Sequence, residues 1–268
     1  MNFVCPKCRL PLTVCEGGAA KCPANHSYDK ARAGYYNLLL SSVGGTHGDN
    51  REMVEARRDF LDTGAYKPLA DKICELVHTY LSGKRILDIG CGEGYYTDII
   101  EKSLTGTGVG ISAFDISREA VKYASRRNKS IELAVASAYH MPTLDGSFDM
   151  AVNMFSPLAP GEILRTLRPG GIFVMAIPGE NHLYGLKSVT YKTPYKNEVS
   201  DSELSGFELL STERVSYNLR LTEGEKIKSL FMMTPYAYRT KKEDRERVLL
   251  LDFLETDVEF LIFVYKKS

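Results

Sequence analysis

Arg85-Ile86-Leu87-Asp88-Ile89-Gly90-Cys91-Gly92-Glu93-Gly94-Tyr95-Tyr96 is a short apolar strand that runs into three glycines at alternate positions. Lacking a Cβ, Gly90, Gly92 and Gly94 let the backbone turn tightly and approach a ligand closely. A dinucleotide fold spaces its glycines G-x-G-x-x-G, so that a helix N-terminus receives a pyrophosphate. Here the spacing is G-x-G-x-G, with Glu93 between the last two. Negative charge at that point repels phosphate and suits the amino and sulfonium charges of S-adenosylmethionine (SAM). Asp88, Gly90, Gly92, Glu93, Gly94 and Tyr95 are therefore the candidate cofactor turn.

A glycine turn after a strand is common in α/β folds, so the segments C-terminal to it must decide between a cofactor site and a plain turn. The apolar run 108–114 ends at Asp115, which puts a carboxylate at a strand end where a ribose diol would lie. Val135-Ala136-Ser137 supplies small residues against which an adenine can slide, with Ser137 placed to read its edge. Residues 148–153 give a fourth strand, and 164–167 with Arg168-Pro169-Gly170-Gly171 close a helix before a fifth strand at 172–177. In this order the segments resemble the class I SAM-dependent methyltransferases. That resemblance implies an α/β, Rossmann-like fold with a seven-stranded sheet.

At 268 residues the chain has room for one full α/β domain and something small at one end. No stretch is long and apolar enough for a transmembrane helix, and Met1-Asn2-Phe3-Val4-Cys5 lacks a signal-peptide pattern, so a cytoplasmic protein with no membrane partner is expected. Its 34 basic and 34 acidic residues cancel, so any nucleic-acid binding must come from local patches.

Four of the six cysteines, Cys5, Cys8, Cys15 and Cys22, fall in the first 22 residues. Cys5-Pro6-Lys7-Cys8 is a C-x-x-C knuckle, and Cys22-Pro23-Ala24-Asn25-His26 adds a Cys and a His at compatible spacing. So short a segment has little apolar area, and a metal, zinc by default, would supply its folding free energy. A redox C-x-x-C normally opens a helix after a strand, and no such strand precedes Pro6. Cys15 is an alternative ligand to Cys22 or His26, although only the latter two form a second paired knuckle. Lys7, Arg9, Lys21, Lys30 and Arg32 face only Glu16 and Asp29, with Phe3, Tyr28, Tyr35 and Tyr36 interleaved. Such a surface suits unstacked bases and phosphates; the alternative is that the aromatics form the unit's own small core.

With the knuckle, Ala31-Arg32-Ala33-Gly34-Tyr35-Tyr36-Asn37-Leu38-Leu39 and the glycine turn in view, the chain resembles the RlmA family of bacterial 23S rRNA guanine-N1 methyltransferases. The likeness extends through Glu55-Ala56-Arg57-Arg58-Asp59-Phe60-Leu61, Pro178-Gly179-Glu180-Asn181-His182-Leu183 and Met233-Thr234-Pro235-Tyr236-Ala237. It implies zinc on Cys5, Cys8, Cys22 and His26, with Cys15 free. It also implies that Tyr66 and His182 lie beside the cofactor, and that the substrate is one of two neighbouring guanines in a domain II hairpin of 23S rRNA. The domains expected are 1–40, binding zinc and recognising RNA, and 41–268, transferring the methyl group. A two-fold homodimer spanning one RNA is compatible with this reading.

The end of the fourth strand should face the methyl group, which nominates Asn153, Phe155, Ser156 and Pro157. Asn153 would bond the guanine edge and Phe155 would stack on it, or else simply pack in the turn. His182 is a second catalytic candidate, as a proton acceptor, yet positioning with no dedicated strong base is the mechanism expected. Arg51, Arg57 and Arg58 recur along one helix within 51–81, either to hold RNA or as a solvated face paired with Glu52, Glu55 and Asp59. Residues 41–49 read as a flexible linker that lets the zinc unit close on RNA. Strands are expected at 215–221 and 258–265, with a helix over 223–232 between them. A small-molecule methyltransferase fits the cofactor motifs equally well but leaves the zinc unit unexplained.

Overall fold

The structure, a computed structural model, describes residues 1–40, 48–199 and 203–268. The N-terminal unit holds three two-residue strands, β1 (Thr13–Val14), β2 (Ala20–Lys21) and β3 (Ser27–Tyr28), paired antiparallel in that order, then β4 (Tyr36–Asn37). Helices α1 (Arg51–Leu61) and α2 (Lys67–Tyr80) come next. The alternating region comprises β5 (Arg85–Ile89), α3 (Tyr95–Ser103), β6 (Gly110–Asp115), α4 (Arg118–Arg127), β7 (Glu132–Val135), β8 (Phe148–Met154), α5 (Pro160–Thr166) and β9 (Leu167–Pro178). The chain ends with α6 (Tyr184–Thr190), β10 (Phe207–Leu221), α7 (Gly224–Met232), α8 (Tyr236–Arg239), α9 (Lys242–Leu249) and β11 (Leu254–Lys267).

The main sheet runs β10-β11-β9-β8-β5-β6-β7-β4. All pairs are parallel except those of β11, which is antiparallel to both neighbours. Seven of these strands form the expected methyltransferase-type sheet. The eighth is a correction: Tyr36 and Asn37, within the first forty residues, pair with Ala134 and Val135 at the sheet's edge. The N-terminal unit thus reaches into the large sheet.

The strands are apolar on both sides because both faces are covered. One face packs α1, α2, α3, α4 and α7, with α2 presenting Leu69, Ala70, Ile73, Leu76 and Val77 at helical spacing behind a Pro in its first turn. The other face is covered by α5 and the N-terminal unit. Phe3, Cys5, Leu12, Ala20 and Cys22 share one core with Leu87, Ile89, Phe114, Phe148 and Phe173. The crossover from β7 to β8 contains only a three-residue 3₁₀ turn, Ala138–His140, where a parallel crossover usually places a helix. The N-terminal unit occupies that place. The Val4 N–H donates to Pro142 O at 2.8 Å, and Arg9 donates to Met141 O and Thr143 O.

These contacts also revise the surface expected on this unit. Phe3, Tyr35 and Tyr36 are buried, Tyr28 turns its hydroxyl to Cys5, and Arg9 is spent on docking. The aromatic rings therefore pack rather than await bases. Of the expected linker, 41–47 lies outside the described residues. The unit it was expected to move is bonded to the sheet edge. Strands β10 and β11 run longer than expected, starting at 207 and 254, because one side of β10 is exposed and its polar alternation hides it.

Candidate active site and metal centre

The glycine turn comes directly after β5, with Gly90, Gly92 and Gly94 all at positive φ. At Gly90 a Cβ would come 2.3 Å from the Ser156 Cβ, so the residue is fixed by space as well as by φ. The turn opens a cavity of 340 Å³ lined by Arg57, Asp88, Gly90, Gly92, Tyr95, Tyr96, Asp115 and Phe155, whereas Gly94 lies outside the lining and packs against Ala124. A second cavity, of 410 Å³, adjoins it over the ends of β8 and β9, beside the middle of β11, and is lined by Tyr66, His182, Thr234, Tyr236 and Phe260. The two share Arg57, Leu61, Tyr96, Phe155 and Ser156.

Asp88 is buried at the floor of the first cavity. Its Oδ2 accepts from the Thr97 hydroxyl at 2.5 Å, while Oδ1 has no partner. Burial lifts the carboxyl to about 7 against the Thr97 bond, and the Asp115 charge adds to the rise. Asp115 accepts from the N–H of Gly92 and of Ser117, which fixes it at the rim. An unpaired buried acceptor beside a glycine cradle is the polarity a cationic ligand would satisfy.

Glu93 lines the same cavity. Its Oε2 accepts from Arg127 Nε and Nη2 at 2.9 and 2.6 Å, while its Oε1 is buried with no partner among the described residues. Asn153 differs from its expected place: its amide donates to Ser156 Oγ, its oxygen accepts from the Ser156 N–H, and it lines neither cavity. It builds the turn that carries Phe155. That ring, held at φ 61°, stands 41% exposed on the wall between the cavities, against Tyr96 and Phe260. Ser137 caps the 3₁₀ turn through Tyr139 N–H and lines a separate 150 Å³ cavity.

Tyr66 and His182 meet in the second cavity, hydroxyl to Nε2 at 3.3 Å. Nδ1 accepts the Glu259 N–H, which leaves the ring proton on Nε2 and makes it the donor to Tyr66. Burial, and next the charge of Lys187, press the ring down to about 3. A neutral histidine with its lone pair already used is a poor proton acceptor, which disfavours that candidate role for His182.

The sequence pattern puts Arg57 in a surface stripe. Arg51 and Arg58 do sit there, paired with Glu55 and Asp62. Arg57 turns inward to Asp49 and to Met233 O. Among the described residues lining the two cavities it is the one cation. Periodicity could not reveal this, since all three arginines lie on one short helix.

In the N-terminal unit the ligand atoms of Cys5, Cys8, Cys22 and His26 all lie within 4.8 Å of one another. His26 Nδ1 is 3.4 Å from Cys5 Sγ and 3.5 Å from Cys22 Sγ, and Cys8 and Cys22 are 3.6 Å apart. These are edge lengths suited to one tetrahedral ion. The Cys5 thiol is opposed by burial, yet the Tyr28 hydroxyl and the amides of Cys8 and Lys7 bring it down to about 6. Cys15 points elsewhere, toward Thr13 O.

Residues 3–40 match the family model described as RlmA, N-terminal, and residues 81–232 match that of a methyltransferase domain. The chain is 30% identical to YxjB of Bacillus subtilis (strain 168), named for 23S rRNA (guanine-N1) methylation, over 97% of this chain and 96% of that one. The chain belongs to the 23S rRNA (guanine-N1)-methyltransferase family. The 23S rRNA (guanine(748)-N(1))-methyltransferase of Streptomyces fradiae is 31% identical over 81% of this chain and 79% of its own. A Micromonospora griseorubida relative is 31% identical over 88% and 86%. The family member described here is thus a SAM-dependent, zinc-containing methyltransferase of class I fold. Among its described residues no helix is long and apolar enough to cross a membrane.

Proposed function

We propose that this chain transfers a methyl group from SAM to N1 of a guanine in a domain II hairpin of 23S rRNA, in the cytoplasm. The observation that carries the reading is an acid-lined cavity continuous with an aromatic one, on a chain whose relatives over most of its length are named for methylation of 23S rRNA at guanine N1.

SAM, held in the first cavity, supplies an electrophilic methyl group. Asp88 Oδ1 and the glycine turn would meet its cationic end, Asp115 its ribose, and Arg57, the one cation lining the cavities among the described residues, would meet its carboxylate from its pairing with Asp49. Tyr66 and His182 line the second cavity, beyond the residues the two cavities share. Cys5, Cys8, Cys22 and His26 hold the zinc. N1 of guanine lies on the Watson–Crick edge, so the base must leave its pair to react. The aromatic cavity behind Phe155 accepts a flat ring: Phe155, Phe260 and Tyr236 bound it, and the Tyr66 O–H is a donor there because its oxygen already accepts from His182. As N1 takes the methyl group, the methyl–sulfur bond would break, its electron pair would return to sulfur and S-adenosylhomocysteine would leave, while the N1 proton passes to solvent; the protein contributes alignment rather than a base.

The test is methyl transfer from radiolabelled SAM to protein-free large-subunit rRNA, mapped by a primer-extension stop. A stop at one domain II guanine supports the proposal. Incorporation into metabolites and not into RNA overturns it in favour of a small-molecule methyltransferase.

A further inference from the structure

Outside both cavities, a groove of 760 Å³ runs between the turn 31–35 of the N-terminal unit and the outer face of α4. It is lined by Arg32, Arg118, Lys122, Arg126 and Lys129, with Glu119 as its one acid among the described residues. The chain's charges cancel overall, so five cations in one groove leave the remainder net acidic.

A cluster that served only the fold would be neutralised by acids. Here the Lys129 ammonium donates to Ala33 O at 2.8 Å and Arg118 Nε to the Tyr35 hydroxyl at 3.3 Å, both neutral oxygens. These bonds tie the two walls together and leave their charge uncompensated. Lys122 meets Glu119 at 3.4 Å, an exposed contact of little strength. Arg32 and Arg126 are exposed and take part in no ion pair among the described residues. The groove begins at Arg118, three residues after Asp115 at the rim of the cofactor cavity, and shares no lining residue with either cavity.

We propose that this groove binds the phosphate backbone of the substrate RNA, away from the base that reacts. The inference rests on RNA being the substrate and adds where it is gripped. It also gives the N-terminal unit a different part in recognition from the one its own sequence suggests. The unit supplies one wall and Arg32, while α4 and the residues just beyond it supply the other four cations. Contact with phosphates positions the RNA without reading its sequence, so the groove sets affinity and register while the aromatic cavity selects the base.

The experiment compares the zinc-loaded wild type with Arg32→Ala/Lys122→Ala/Arg126→Ala, and with a control of equal charge loss on exposed helices, Lys226→Ala/Lys228→Ala/Lys242→Ala. Affinity for a domain II rRNA fragment is measured across a salt series, beside affinity for S-adenosylhomocysteine and turnover. The groove variant should bind RNA about tenfold or more weakly near physiological salt, and its log–log salt slope should be smaller by roughly two to three. Turnover at saturating RNA and S-adenosylhomocysteine affinity should match wild type. Equal RNA affinity and slope in the groove and control variants would overturn the proposal. Failure of the wild type itself to bind or methylate rRNA would instead sink the substrate assignment.

Discussion

His182 Nε2 donates to the Tyr66 hydroxyl because its other ring nitrogen is held by the Glu259 N–H. The ring is held near 3, far below an ordinary histidine. Linkage gives the sign: an unfolded chain takes up the proton below about 6.5, and the folded one refuses it until about 3. The stability this neutral ring contributes is complete above about pH 6.5 and is lost as pH falls toward 3. His182→Ala should therefore lessen the loss of stability between about pH 7.5 and 5, as read by urea melts. Wild-type turnover should show no inflection near about 6.5 from this residue.

The unpaired oxygen of Asp88 makes a different demand. With its carboxyl near 7, the unliganded protein is partly protonated there at neutral pH. A cationic ligand favours the ionised form, so SAM affinity should rise with pH through about 7, and binding below that pH should release a proton. Calorimetry in buffers of unlike ionisation enthalpy measures this directly. Asp88→Asn should weaken SAM by roughly 10–100-fold, the worth of a hydrogen bond to a charged group, about 1.5–3 kcal/mol.

Arg57 separates ligands by their carboxylate. Arg57→Ala should lose most of its affinity for S-adenosylhomocysteine, about tenfold or more, and little for 5′-methylthioadenosine, which has no carboxylate. Equal losses for both would mean that Arg57 shapes the cavity without meeting that group.

Phe155 carries a side chain at a φ that costs a non-glycine residue roughly 1–3 kcal/mol. Phe155→Gly should melt no lower than Phe155→Ala, because glycine relieves that strain. Both should lose methyl transfer to RNA by at least about tenfold if stacking on the base is worth roughly 1–3 kcal/mol. Phe155→Trp should retain most activity.

Zinc removal should be felt by the whole molecule. Cys5 and Cys22 lie in the same core as Leu87, Phe114 and Phe173. Chelation, or Cys8→Ser, should lower the single thermal transition by on the order of 10 °C, since a loss of a few kcal/mol moves a chain of this size that far. A separate low-temperature transition with an unchanged main one would contradict this.

The glycine turn, Asp115 and the alternation of strands and helices were legible because each is written in a few adjacent residues. The same holds for the two knuckles, whose ligand atoms converge. What escaped the sequence was set by partners far along the chain. Glu93 meets Arg127 through one oxygen, Asn153 is consumed by the turn it supports, and Arg57 turns inward to Asp49 and Met233. Tyr35 and Tyr36 among cations resemble a base platform until the sheet edge that buries them is known. Composition records which groups are present, and only the fold decides which are left over.

The docking of the first residues onto β7 and the β7–β8 crossover has a consequence for how the chain is made. Asn2 bonds to Glu132, and Val4 to Pro142, across about half the sequence. During synthesis at roughly 5–20 residues per second, the segment made first waits several seconds for the surface it covers. Until then the knuckles can capture metal, but Phe3, Leu12 and the Tyr36 strand have nothing to lie against. The nascent chain is therefore most exposed to misassembly while ribosomes, its proposed substrate's own home, are still translating its middle.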